Sequence, residues 1–63
     1  MPNINEINNI PDYAMEYRWW VVRFIDKEYW FWGAWNDYAK ALEVSMNLEE
    51  STIFENNYFT QES

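Results

Sequence analysis

From Trp19 to Trp35 the chain is apolar or aromatic at almost every position, broken only by Arg23 and the polar trio Asp26, Lys27 and Glu28. The run Arg18 to Ile25 is rich in β-branched and aromatic residues and lacks Gly and Pro, which predicts a strand. Glu28 to Ala34 predicts a second. Two such runs joined by Asp26-Lys27 predict an antiparallel hairpin, although Asp-Lys is not the favoured Asn-Gly or Asp-Gly turn. Side chains alternate faces along a strand. Trp20, Val22 and Phe24 then share one side of the first strand, and Trp19, Val21, Arg23 and Ile25 the other. In the second strand Trp30 and Trp32 oppose Tyr29, Phe31 and Gly33. Neither face is polar, so both must be covered. A helix can cover one. The other needs the N-terminal segment, the C-terminal tail or another protein.

The 63 residues permit one domain, and a chain this short buries only ~60% of its unfolded surface, so its stability is marginal without further aid. The usual aids are disulfides, metals or association. There is no Cys and no His, which removes disulfides, thiolate sites and the commonest metal ligand and general base. Stability must come from the aromatic residues, which make up 22% of the chain, or from a partner chain.

After the hairpin, Asn36 or Asp37 suits a helix N-cap. Tyr38, Ala41, Leu42, Ser45 and Met46 then repeat at helical spacing, predicting a helix over 37–48 with this stripe against the sheet. Ser51 to Glu55 is a candidate third strand. Residues 1–12 carry Ile4, Ile7 and Ile10 between Pro2 and Pro11 and read as a flexible arm, and 57–63 read as a flexible tail. The expected fold is α+β, in the order β-β-α-β: a small antiparallel sheet with one helix packed on it.

The chemistry of an enzyme is missing. Without His or Cys the common nucleophile arrangements cannot be built. Gly33 is the only glycine, so no glycine-rich phosphate loop exists. A carboxylate pair could in principle serve glycoside hydrolysis, but so small a chain has little room for a cleft. No calcium-loop pattern is present. The reading is a non-enzyme with no cofactor and no metal. No apolar run approaches the roughly 20 residues of a membrane span, and the first residues lack a signal-peptide pattern, so the expectation is a cytoplasmic protein with no membrane role.

The net charge is −7 and unevenly placed. Residues 17–35 are close to neutral, whereas 36–63 carry Asp37, Glu43, Glu49, Glu50, Glu55 and Glu62 against Lys40 alone. Such a field repels nucleic acid and attracts basic surfaces. On the predicted helix Glu43 and Glu50 would lie roughly 10 Å apart on one face, a spacing compatible with phosphates. The candidate acidic face is Asp37, Glu43, Glu49, Glu50 and Glu55. The candidate aromatic anchors are Trp19, Trp30, Trp32 and Trp35, because Trp is enriched at binding hot spots. Arg18 and Arg23 are expected to lie over aromatic rings or pair with Glu16 and Glu28.

In size, acidity, absence of Cys and His, and hairpin-helix-strand order over about Tyr17 to Glu55, the chain resembles small acidic phage-encoded inhibitors of host enzymes. The DNA-mimic type is represented by inhibitors of uracil-DNA glycosylase. Small acidic anti-CRISPR proteins and phage inhibitors of the sliding clamp or RNA polymerase are similar. The resemblance implies host-cell cytoplasm and a partner with a basic surface, a DNA-processing enzyme, whose DNA site is blocked by charge mimicry plus an aromatic anchor. The residues also admit two alternatives: a protein-binding module unrelated to mimicry, or a homodimeric structural protein, each using the aromatic sheet face.

Overall fold

The computed structural model describes residues 3–57. The tail beyond Asn57, with Tyr58, Phe59 and Glu62, lies outside the described residues. The fold is α+β, as expected: strands β1 (Ile7–Asn8), β2 (Trp19–Ile25) and β3 (Glu28–Trp35), helix α1 (Tyr38–Met46) and strand β4 (Ser51–Glu55). The sheet has four strands rather than three, in the order β1-β3-β2-β4. The two-residue β1, too short to show a pattern, pairs in parallel with Tyr29 and Trp30. The other pairings are antiparallel.

The hairpin turns at Asp26 and Lys27, whose φ angles are 53° and 68°. Positive φ at both central residues is the pattern of a type I′ turn, which matches the twist of the flanking strands. Two non-glycine residues therefore hold a conformation that glycine adopts more readily.

A β-bulge alters the expected faces. Val22 pairs with Phe31 and Val21 with Gly33, so Trp32 is an extra residue opposite none. Beyond it Gly33 moves to the side of Val21, and Trp35 pairs with Trp19. An added Cβ on Gly33 would stand 2.5 Å from Cη2 of Trp35. Trp35 thus lies over the one position with no side chain.

One sheet face is covered by the N-terminal segment and the other in part by the helix. Reaching β2 from β1 requires residues 9–18 to cross β3. They do so through a 3-10 turn at Asp12–Glu16, which lays Ala14 onto the sheet. The core on this side joins Ile7, Ala14, Trp20, Val22 and Phe54, with Ile4, Ile10, Tyr17 and Phe31 packed against it. Trp20 is fully buried, and its Nε1–H donates to the Ala14 carbonyl at 2.8 Å. Phe54 and Phe31 pack on its ring at 5.1 and 5.6 Å. Buried Asn56 donates from Nδ2 to the Tyr17 carbonyl at 3.0 Å, tying the same segment to the end of β4.

Helix α1 covers the opposite face, where Val21 and Ala41 are fully buried. Asp37 caps it, accepting from Ala39 N–H at 3.0 Å. The helix is shorter than the 37–48 expected. Asn47 ends it, with its side chain donating to the Glu43 carbonyl and Glu50 at φ 54° in the turn beyond. The expected apolar stripe is also divided. Ala41, Val44, Ser45 and Leu48 face inward, while Tyr38, Leu42 and Met46 are exposed. The sheet-facing row follows the 41, 44, 45, 48 spacing of one helix side, which leaves the 38, 42, 46 row on its flank.

Candidate functional site

The helix lies over β2 and β4 more than over β3, so the β3 half of this face is open. Three tryptophans occupy it in the order Trp30, Trp32, Trp35. Trp32 is 53% exposed, whereas Trp30 and Trp35 are half-buried. Arg23, which pairs with Trp30, places its guanidinium 5.8 Å from the Trp32 ring centre. Its Nε–H donates to the Glu49 carbonyl at 3.4 Å. The guanidinium is therefore tethered on one side and stacked on the other, which limits the directions the Trp32 ring can take.

Trp19, the fourth candidate anchor, lies elsewhere. Its ring meets Tyr38 edge-on at 4.8 Å and carries the Arg18 guanidinium at 5.5 Å. It is half-buried at the start of the helix, engaged in holding α1 to the sheet. Both arginines lie over rings as expected. The carboxylate partner of Arg18 is Glu55 at 2.9 Å, rather than Glu16. Glu28 accepts from Asn8 Nδ2, not from Arg23.

The candidate acidic residues are dispersed. Asp37 is the helix cap. Glu43 lies 3.9 Å from Lys40, and Glu55 is bound to Arg18. Glu49 and Glu50 lie past the end of the helix, so Glu43 and Glu50 do not share a helix face as the longer helix had implied. Their turn is held through its carbonyls: Glu50 O accepts from the Phe24 backbone N–H at 2.8 Å and Glu49 O from Arg23 Nε–H at 3.4 Å. Both carboxylates are exposed. Among the described residues no group of three or more Asp or Glu is placed to hold a metal ion, and no helix is long and apolar enough to cross a membrane.

Two features escaped the sequence. The bulge at Trp32 leaves the alternation of apolar residues unchanged, so no pattern signals it. Arg23 as the support of Trp32 follows only once the register is known. Comparison with protein-family models, curated proteins and solved structures finds no match to this chain.

Proposed function

We propose that this protein is a non-catalytic binding module that grips a basic protein surface through the tryptophan strip of β3, with Trp32 as the anchor. The observation that carries this reading is the bulge itself. It sets a large apolar ring more than half into solvent, on a rigid strand, with Arg23 stacked against it. Rigid aromatic side chains concentrate binding energy because they bury much area at little entropic cost. Trp30 and Trp35 flank the anchor. The net charge of −7 selects the partner by sign and speeds encounter.

The charge-mimic form of this reading, in which the partner is a DNA-processing enzyme, rests on the exposed Glu49-Glu50 turn, whose carbonyls accept from the Phe24 backbone and the Arg23 side chain. Three of the other candidate carboxylates already serve the fold or an ion pair, which favours the aromatic grip as the main contribution.

The test compares wild-type chain with Trp32→Ser and with Glu49→Gln/Glu50→Gln in capture from lysate, eluting with salt or with competing DNA. The aromatic grip requires that Trp32→Ser lose a partner that wild type retains, since a hot-spot tryptophan contributes about 2 kcal/mol or more, some 30-fold in Kd. Loss only in the glutamine variant, with elution by DNA, would replace the grip with mimicry.

A further inference from the structure

We propose a second interface on the opposite edge of the molecule, where the open side of β4 and the exposed flank of α1 together bind a second copy of this chain about one two-fold axis.

The first observation is the direction of the β4 backbone. Phe24 N–H donates to Glu50 O, and Asn56 N–H donates to Arg18 O, both at 2.8 Å. Trp20 pairs with Phe54 and Val22 with Thr52. In an antiparallel ladder the residues turned toward a neighbour alternate. Positions 50, 52, 54 and 56 therefore face β2, and the N–H and C=O groups of Ser51, Ile53 and Glu55 point away from the sheet. Among the described residues β4 is the last strand in the order, and it carries no proline, lysine or bulge to guard that edge.

The second observation is the row Tyr38, Leu42 and Met46, exposed by 48%, 38% and 76%. This flank lies on the β4 side. Around the helix, Ser45 falls between buried Ala41 and exposed Leu42, and its hydroxyl is 2.9 Å from that of Ser51.

The two features share one midpoint. Tyr38 packs on Trp19, which pairs with Glu55, and Ser45, beside Met46, reaches Ser51. The helix row spans roughly 12 Å and the strand roughly 13 Å. Leu42 and Ile53 are their centres. A single two-fold axis therefore brings Ile53 against Ile53 of the second copy, Ser51 against Glu55, Leu42 against Leu42, and the Tyr38 ring against the Met46 thioether. No like charges face each other across the strands, and sulfur on an aromatic ring is favourable. A self-complementary patch of this kind is what a closed dimer requires. One five-residue strand edge and three helix side chains make a small patch beside the roughly 1,000 Å² that specific interfaces bury, so the dimer is weak. The −7 on each copy opposes it, so salt strengthens the dimer by screening.

Sedimentation equilibrium over a concentration series, at low and high salt, is paired with amide exchange by NMR. The expected result is a monomer–dimer equilibrium that tightens with salt, with the Ile53 amide protected only at high concentration and the Phe54 amide protected throughout. Leu42→Lys/Met46→Lys, which lowers the net negative charge, should abolish the dimer while leaving the Phe54 protection intact. A chain that stays monomeric at millimolar concentration in high salt overturns the proposal, and leaves this edge to a strand from a different protein. So does a dimer that survives the double substitution with Ile53 exchange independent of concentration.

Discussion

Replacing Trp20 with Phe tests how the N-terminal segment is held to the sheet. The indole is fully buried, and its N–H bonds to the Ala14 carbonyl at 2.8 Å. Phenylalanine keeps an aromatic ring between Phe31 and Phe54 but removes the donor. The Ala14 carbonyl then loses a partner in a buried site, at a cost of about 1–3 kcal/mol. The missing part of the indole leaves a void that the tightly packed neighbours fill incompletely, adding about 1–2 kcal/mol. The expected loss is about 3 kcal/mol. A domain of this length has roughly 3–9 kcal/mol in all, so the variant keeps about two-thirds of its stability at best, and Tm falls by roughly 12–24 °C. Urea unfolding followed by circular dichroism measures the loss, with Trp32→Phe as the control. Trp32 is more than half exposed and makes no hydrogen bond on which the fold depends, so its replacement should change stability by less than about 0.5 kcal/mol. If Trp20→Phe unfolds within 0.5 kcal/mol of wild type, or if both variants lose equally, the claim that Trp20 pins this segment is wrong.

Three further outcomes follow from the same geometry. Lys27→Gly should raise stability by about 0.5–1 kcal/mol in urea unfolding, because relief of a left-handed non-glycine residue exceeds the added freedom of the unfolded chain. Lys27→Ala, which keeps the Cβ, should give no such gain. Gly33→Ala should lower stability by about 1 kcal/mol and shift Trp fluorescence to the red, since the new Cβ lifts the Trp35 ring. In a Trp35→Ala background the same change should be close to neutral. Asp37→Ala should cost about 1 kcal/mol of stability through loss of the cap while leaving capture of a partner unchanged, which separates this carboxylate from binding.

The strands and the helix were legible because β-branched and aromatic runs, a two-residue polar break and a capped periodic segment each have a local cause. The Asp26-Lys27 turn falls where the polar break predicted it, even though its residues are unfavourable for the conformation they take. The bulge was not legible, and it decides the aromatic site. It moves Gly33 and Trp35 onto the helix face and leaves Trp32 without a paired residue. Register depends on contacts across the sheet, to which the spacing of apolar residues within one strand is indifferent. The helix end was missed for a similar reason. Asn47 and Leu48 suit either a last turn or a cap, and the backbone bond from Phe24 to Glu50 favours the cap. Ile4, Ile7 and Ile10 recur every third residue in a segment that reads as a flexible arm, yet Ile7 enters the core, because what fixes it is the sheet face the segment meets.

The pairing distances along the chain imply an order of assembly. Ile25 and Glu28 meet across a two-residue turn, whereas β1 finds its partner 22 residues later and Trp19 meets Glu55 only after 36. Closing longer loops costs more entropy before any contact forms, and an isolated hairpin closes in roughly 1–10 µs. β1 has no surface to join until β3 exists, and β4 none until β2 does. The Asp26-Lys27 turn, which brings the first two strands together, therefore comes first in the order of assembly. The chain enters its native sheet through two residues held in the left-handed region, where a side chain is a hindrance.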